Sequence, residues 1–336
     1  MKLITIEEHY TNQKVIDANA KYEPKRQLTP KQQKVANFLR ANMYPAAELM
    51  DIDKFRIPHM NQHGIAMQIL SYTSPVGDYV PADAAVDICK MANDLMAEDI
   101  SKYPDRFRGM ATLPMADPEA AANELERCVK QLGFVGVLLA GQYQGHWMDE
   151  PQFLPIFDKA AALDIPVYFH PAFINPIIQK YYYDSPSYSP IVAAGLGTGA
   201  IGWHYDVGLQ VIRMILSGIF DKYPNLKFVA GHWGDDMPAY LDRMTHILTT
   251  EITGLQRNIR DYYTSNVWIT PSGIMSATSL YAFVKLMHPD HIIYSEDYPY
   301  IKPTNFEMFL ADANLPEEVK EMIAHVNAEK LYKLDV

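Results

Sequence analysis

Cysteine is scarce in this chain, and its scarcity excludes two kinds of site. Cys89 and Cys128 are the only two cysteines in 336 residues, and they do not form a C-x-x-C pair. Both fall in segments with a helical pattern. A chain with this cysteine content has no disulfide framework and no sulfur-ligated metal site. We therefore expect a protein of the reducing cytoplasm.

An excess of basic residues is also absent. The chain has 29 Lys and Arg against 40 Asp and Glu, which gives a formal net charge of −11. This balance disfavours nucleic acid or an anionic membrane as the main partner. No apolar run approaches the roughly 18 residues of a membrane span, and the short apolar start is broken by Glu7 and Glu8. We expect neither membrane insertion nor secretion, and a small molecule as the partner.

A nucleotide-binding motif after the first strand is missing as well. No G-x-G-x-x-G follows the first predicted strand, and the chain contains no P-loop. These are the glycine-rich turns that bring backbone N–H groups close to phosphates. Dinucleotide and NTP chemistry therefore have no support in the sequence.

What the chain does contain is a regular alternation of strand-like and helix-like segments. The predicted strands are residues 3–6, 66–71, 107–113, 135–139, 166–169, 226–230, 267–270 and 292–295. The predicted helices are residues 83–102, 117–132, 152–163, 207–220, 236–248, 276–287, 304–313 and 316–331, with Asp83 and Asp117 as N-caps. This pattern predicts an α/β protein whose parallel strands close into one (β/α)₈ TIM barrel.

Two segments interrupt the alternation. Residues 10–62 are polar and rich in Lys and Gln, with a helix predicted to begin at Thr29-Pro30, and residues 171–205 are rich in aromatic residues, Pro and Gly. Long loops on barrels often cover a site. We expect these segments to be insertions after strands 1 and 5 that lie over the active-site face of a single domain, residues 1–336. Residues 314–336 would form a C-terminal helical extension.

Four side chains at predicted strand ends form a candidate metal site. Glu7 and His9 end the first strand, where a period of two points both to the same side. His170 follows the fifth strand and Asp297 the eighth. Taken alone, each residue has a more ordinary interpretation. A carboxylate such as Glu7 is usually solvated, a lone histidine is usually structural, and an Asp before Tyr-Pro is usually a turn former. Together, carboxylate and imidazole ligands at one end of a barrel predict a single divalent-metal site.

The sixth predicted strand ends in the sequence G-H-W-G-D, residues 231–235. His232 would lie at the mouth of the barrel, where an imidazole oriented by Asp235 makes a good proton shuttle. The alternative is that Asp235 caps the next helix and His232 is structural. Arg243 could neutralise a substrate anion, although a surface salt bridge is the default interpretation.

These segments together resemble the metal-dependent, nonoxidative decarboxylases of the amidohydrolase superfamily. The group includes γ-resorcylate (2,6-dihydroxybenzoate) and aminocarboxymuconate-semialdehyde decarboxylases. The resemblance to the resorcylate branch lies in E-E-H at residues 7–9, in residues 219–224 leading to A-G-H-W-G-D at 230–235, in N-V-W-I-T-P-S-G at 266–273 and in Y-S-E-D-Y-P-Y at 294–300. It implies that Glu7, His9, His170 and Asp297 bind one Zn²⁺ or Mn²⁺.

The resemblance further implies roles for the remaining candidates. His232 and Asp235 would be the acid/base pair beside the metal, Arg243 would lie near the substrate, and Asp297 would deliver the proton that replaces the departing CO₂. The substrate would be a hydroxylated aromatic carboxylate, and the protein would be a homodimer or homotetramer. One departure is visible, because the family motif commonly ends in Glu where this chain has the shorter Asp235.

Two other functions stay open at this point. A mononuclear hydrolase or hydratase would use a metal-bound hydroxide on the same scaffold. Binuclear hydrolases of the superfamily often use a carbamylated lysine after the fourth strand, and residues 137–142 contain no lysine, which favours one metal over two. A barrel kept as a binding module is the third hypothesis, and it would bind no stoichiometric metal.

Overall fold

A seven-stranded parallel sheet forms the centre of the molecule, for which a computed structural model describes residues 1–22, 28–73, 76–301 and 306–335. The strands follow one another in chain order, and every neighbouring pair is parallel. They are β1 Leu3–Tyr10, β2 Ile65–Tyr72, β3 Phe107–Ala111, β4 Gly136–Ala140, β5 Pro166–His170, β6 Lys227–Ala230 and β7 Val267–Ile269. The first seven predicted strands are thus confirmed, and all their carboxyl ends lie at one end of the sheet.

The predicted eighth strand, residues 292–295, pairs only briefly. Ile292 forms a single parallel bridge with Ile269, and the Ile293 amide donates to the Ile269 carbonyl at 2.9 Å. On its other side the Glu7 amide donates to Ser295 Oγ at 2.8 Å. The segment therefore joins β7 to β1, but a side-chain hydroxyl replaces the backbone carbonyl that a regular strand would offer to β1.

The helices lie between the strands much as the sequence predicts. The α-helices are Gln13–Ala20, Pro30–Met43, Ala46–Leu49, Arg56–His63, Ala82–Ile100, Pro118–Leu132, Leu154–Leu163, Pro176–Ile178, Pro190–Gly195, Gly202–Leu216, Ile219–Lys222, Leu241–Ile247, Thr250–Thr253, Ile259–Asn266, Ala277–Leu286, Phe306–Ala311, Glu317–Glu321 and Asn327–Tyr332. Shorter 3₁₀ turns are Pro151–Phe153, Met237–Tyr240 and Pro289–His291, and π-helical turns are Gln179–Tyr183, Leu196–Ala200 and Met322–Val326. No helix in these described ranges is long and apolar enough to cross a membrane.

The predicted helix starts are confirmed in part. The Thr29 side chain accepts from the Gln32 amide in a capping box, and Asp117 accepts from the Ala120 amide. Asp83 is not an N-cap, because the helix already begins at Ala82 and Pro81 precedes it without a side-chain cap. The predicted start at Thr304 lies outside the described residues.

Two hydrophobic cores flank the sheet. The inner core joins alternate residues of the strands, such as Ile4, Ile6 and Tyr168, to the C-terminal helix through Leu331 and Tyr332. The larger outer core lies between the strands and the surrounding helices. This double burial explains why the strands read as nearly continuous apolar runs.

Candidate metal centre and active site

A bulge in β1 decides which side chains face the inner core. Ile4 and Ile6 belong to that core, so simple alternation would place Glu8 beside them. The register between β1 and β2 instead shifts between Thr5 and Glu8. One extra residue reverses the alternation, as β-bulges near functional sites often do. Glu7 and His9 therefore both face inward, as the sequence predicts.

The four predicted ligands converge. Side-chain atoms of Glu7, His9 and His170 lie within 4.8 Å of one another. His170 Nε2 is 3.3 Å from Glu7 Oε1, and His9 Nε2 is 3.1 Å from Asp297 Oδ1. The side chains of Glu7 and His9 are fully buried, whereas those of His170 and Asp297 keep 14% and 17% of their surface exposed. The cluster thus opens on the side of His170 and Asp297.

Several polar atoms of this cluster are buried and have no hydrogen-bond partner in the described part of the chain: Glu7 Oε1 and both ring nitrogens of His9. The other oxygen of Glu7 accepts from the Tyr168 hydroxyl, which fixes the carboxylate. Burial alone would raise the pKa of Glu7, but the facing imidazoles of His232, His170 and His9 outweigh it and hold that pKa well below its usual range. The carboxylate is therefore ionised and unsatisfied on one side.

These residues fit a divalent cation. Zn–N and Zn–O bonds of about 2.0–2.2 Å place neighbouring ligand atoms about 3.3–3.5 Å apart around a tetrahedral ion. The distances of 3.3 Å and 3.1 Å within the cluster are close to that spacing. Two imidazoles and two carboxylates suit Zn²⁺ or Mn²⁺. A cation between them would also supply the partner that the buried orphan atoms lack.

A left-handed turn follows β6 and presents His232. The residues with positive φ in this turn are His232, Trp233, Gly234, Asp235 and Asp236. Left-handed backbone costs about 1–2 kcal/mol for each non-glycine residue. Trp233 anchors the turn, since its amide donates to the Thr270 carbonyl at 2.6 Å and its indole N–H to the Ile274 carbonyl at 2.8 Å.

Gly231, at the start of this turn, has no room for a side chain. A Cβ there would lie 2.7 Å from Glu7 Oε2 and 2.8 Å from the Tyr168 hydroxyl. The close approach brings the next residue, His232, to the metal cluster, with Nε2 3.5 Å from Glu7 Oε1. The glycine is thus required by packing against a candidate ligand.

His232 and Asp235 form the predicted pair. Their closest atoms, Nδ1 and Oδ1, are 3.5 Å apart, longer than a normal hydrogen bond and in keeping with the short Asp235 side chain. Burial would lower the pKa of His232, but the Glu7 and Asp235 carboxylates outweigh it and raise that pKa to about 9. Asp235 does not cap a helix; it faces two histidines.

The second of those histidines, His204, was not predicted from the sequence. It lies in the first turn of the helix Gly202–Leu216, and its Nδ1 is 3.2 Å from Asp235 Oδ1. Its ring centroid is 4.1 Å from that of His232. The sequence signal was weak, because a lone histidine in an irregular Gly-rich segment has no motif around it.

Arg243 is not brought to this cluster. Its side chain is exposed on the helix Leu241–Ile247, and no hydrogen bond or ion pair joins it to the site within the described part of the chain. The sequence prediction of a substrate contact therefore finds no support in the contacts of a single chain.

A second buried polar cluster lies on the outer face of β1 and was also missed. Glu8 accepts from the Glu296 amide at 3.2 Å and from Gln68 Nε2 at 3.3 Å. The buried Arg56 donates to Gln68 Oε1 at 3.1 Å and to the His9 carbonyl. Burial and then the Glu296 carboxylate raise the pKa of Glu8 well above its usual range. Arg56 thus fixes the backbone of a candidate metal ligand from behind.

Comparison with known proteins gives a consistent picture. A family model described as "Amidohydrolase" matches residues 40–334. A γ-resorcylate decarboxylase from Polaromonas sp. is 34% identical, and the alignment covers 99% of this chain and 98% of that protein. The crystal structure of 5-carboxyvanillate decarboxylase from Sphingomonas paucimobilis has a TM-score of 0.88 at 29% identity, with 99% of each chain covered.

A further solved structure contains a metal. It is a dihydroxybenzoic acid decarboxylase from Polaromonas sp. JS666 with bound manganese and the inhibitor 2-nitroresorcinol. It has a TM-score of 0.83 at 31% identity, and the alignment covers 99% of this chain and 97% of that one.

Proposed function

The chain belongs to the amidohydrolase family, and from this premise we propose that it catalyses the nonoxidative decarboxylation of a hydroxylated aromatic carboxylate such as a dihydroxybenzoate. The reaction is that of a metal-dependent carboxy-lyase. Glu7, His9, His170 and Asp297 would hold one Zn²⁺ or Mn²⁺. The similar proteins named as decarboxylases of aromatic acids support this choice of substrate class.

One observation carries the proposal. Among the residues that the structure describes, Glu7 Oε1 is buried and has no hydrogen-bond partner, and it faces His170 and His232 at 3.3 Å and 3.5 Å. A buried charge of this kind is costly unless it is paired. The same arrangement leaves an accessible side at His170 and Asp297, where a substrate carboxylate and phenolic oxygen can approach.

When bound, the cation supplies Lewis acidity to the substrate oxygens and lowers the pKa of the phenolic hydroxyl. Asp297 lies at the open edge, so its carboxylic acid can protonate the ring carbon that bears the carboxylate. The new C–H bond forms, the C–C bond to the carboxylate breaks, and CO₂ leaves. His232 and Asp235, placed beside Glu7, hold the proton needed to return Asp297 to its acid form.

Other features of the protein are part of the same proposal. The bridge at Ile292 and the contact of Ser295 with β1 support closure into an eight-stranded (β/α)₈ barrel within one domain, residues 1–336, with residues 314–336 as a helical extension. Residues 10–62 and 171–205 would cover the active-site face as insertions after β1 and β5. Their helices Pro30–Met43 and Pro190–Gly195 pack on each other, which supports a joint cover.

We further propose that the protein is a cytoplasmic homodimer or homotetramer. Arg243 is retained as a proposed substrate-binding residue on the strength of the sequence motif alone. Its exposed position makes this the least supported of the roles.

The test is CO₂ release from a panel of dihydroxybenzoates and salicylates by the metal-loaded enzyme. We expect Asp297→Asn to lower kcat by about 10²–10⁴-fold, the usual contribution of a general acid, while the fold is retained by circular dichroism. Asp242→Asn is the matched control, because Asp242 forms an exposed ion pair with Arg260. No CO₂ from any substrate, or a near-normal rate in Asp297→Asn, would refute the proposed reaction or its proton donor.

A further inference from the structure

We propose a second cation site in this protein, formed by His204, His232 and Asp235 and able to bind Zn²⁺. The site lies beside the first cluster and shares no ligand with it. Each of its three residues offers a nitrogen or oxygen atom, and these atoms lie within 4.8 Å of one another. Two imidazoles and one carboxylate are a common ligand set for Zn²⁺.

The spacing of the ligand atoms supports the site. Asp235 Oδ1 is 3.2 Å from His204 Nδ1 and 3.5 Å from His232 Nδ1. Ligand atoms around a tetrahedral Zn²⁺ lie about 3.3–3.5 Å apart. Both distances are close to this spacing, as are those of the first cluster. The second cluster therefore has the dimensions of a zinc site before any side chain moves.

The same cluster contains buried atoms without partners. His232 Nδ1 and Asp235 Oδ2 are buried and find no hydrogen-bond partner within the described ranges, which is the property that also marks Glu7 and His9. The side chain of Asp235 is fully buried and that of His232 is 6% exposed. Buried polar groups are normally satisfied, so each such atom requires an explanation. A cation bound at His232 Nδ1 and Asp235 explains both.

The ring of His204 is held on both sides. The indole N–H of Trp203 donates to Nε2 at 3.1 Å, which leaves the ring proton on Nδ1, facing Asp235 Oδ1 at 3.2 Å. A cation at Nδ1 takes the place of this proton. Nε2 then carries the N–H, and the Gly199 carbonyl at 3.2 Å can accept it, as a carbonyl typically does beside a metal-binding histidine. The side chain of His204 is 16% exposed, so it also provides the route from solvent.

Occupancy of this site would have a functional consequence, which rests on the proposed decarboxylase activity. A cation on His232 Nδ1 and Asp235 prevents this pair from exchanging protons with Asp297. Excess Zn²⁺ would therefore inhibit the enzyme although one equivalent in the first site supports it. The second site would be an inhibitory site, and His204 is the residue that distinguishes it from the first.

The experiment is equilibrium dialysis of the full chain, already loaded with one equivalent of Zn²⁺, against increasing Zn²⁺, followed by metal analysis. We expect two Zn²⁺ per chain in the wild type and one in His204→Phe, with the second affinity weakened by at least about 100-fold, because even an outer contact to a metal ligand accounts for about 10–100-fold. His146→Phe is the matched control, since His146 forms an exposed pair with Glu150 at 2.7 Å. This control variant should still bind two Zn²⁺ per chain.

Each other result overturns the proposal. If the wild type binds only one Zn²⁺ per chain at saturation, the second site is excluded without the need for a variant. If His204→Phe still binds two Zn²⁺ per chain, His204 is excluded as a ligand. His204→Gln serves if the Phe variant does not fold. The ratio of rates with and without excess Zn²⁺ then tests inhibition in each protein. Failure to detect CO₂ release would refute the proposed reaction and leave the dialysis result standing.

Discussion

Glu7 and Glu8 are adjacent, equally buried and opposite in their electrostatics. Glu7 faces three imidazoles on the inner side of β1, and its pKa is held below the usual range against the effect of burial. Glu8 faces the Glu296 carboxylate on the outer side, and burial and this neighbour raise its pKa. The comparison shows that burial raises the pKa of both carboxyl groups, and that the charges each group faces decide whether this effect prevails.

The bulge between Thr5 and Glu8 assigns the two roles. Without it, Glu8 would follow Ile4 and Ile6 toward the inner core, and Glu7 would face Arg56 and Gln68. One extra residue in the strand therefore separates a candidate metal ligand from a structural carboxyl group.

The largest contrast that we expect is in metal content. Glu7→Gln removes an ionised ligand, so metal affinity should fall by more than about 100-fold, beyond the loss caused by an outer contact. Glu8→Gln closely resembles the protonated form of Glu8 and should keep one cation per chain. Metal analysis after dialysis at equal free metal measures both. Equal metal content in the two variants would contradict the separation of roles.

A second contrast concerns two arginines, of which Arg56 contacts the site and Arg243 does not. Arg56→Met leaves two buried acceptors, Gln68 Oε1 and the His9 carbonyl, without their donor, so the free energy of unfolding should fall by about 2–6 kcal/mol. Arg243→Met removes an exposed charge and should change it by less than about 0.5 kcal/mol. Urea denaturation of the metal-loaded proteins measures both changes. A small effect in Arg56→Met would show that the outer cluster does not depend on this donor.

The smallest effect is a difference in pH dependence. Because the pKa of Glu8 is raised in the folded state, the folded protein keeps a proton there that the unfolded chain loses. This group therefore stabilises the fold less as pH rises above the ordinary carboxyl range, with a slope of at most about 1.4 kcal/mol per pH unit. Glu8→Gln has no ionisable group at this position and therefore lacks this pH-dependent contribution. Its free energy of unfolding relative to the wild type should increase from pH 5 to pH 8. A difference between the two proteins that stays constant over this range would refute the raised pKa.

The parts of the fold and site that the sequence predicts are those set by local pattern. His170 and Asp297 follow short apolar runs. A parallel sheet brings such strand ends together independently of how the surrounding helices pack. The first seven strands were predicted for the same reason. Segment 292–295 looked like its predecessors, yet it forms only a single bridge to β7, at Ile292, and it meets β1 through the hydroxyl of Ser295 instead of a backbone carbonyl.

The remaining features depend on contacts between distant segments. His204 meets Asp235 across 31 positions of the chain, and nothing around His204 indicates this contact. Positive φ at His232 and Asp235 is uncommon for non-glycine residues, so it had no local signal. Arg56 contacts the His9 carbonyl from a polar segment whose sequence resembles an ordinary surface helix.

The contact of the Glu7 amide with Ser295 spans 288 positions and imposes an order on biosynthesis. A nascent chain has Glu7 and His9 outside the ribosome well before the segment that carries Ser295 and Asp297. Until that segment emerges, the edge of β1 that it covers is unpaired and the ligand set is incomplete. Metal loading of a complete site must therefore wait until Asp297 has been translated.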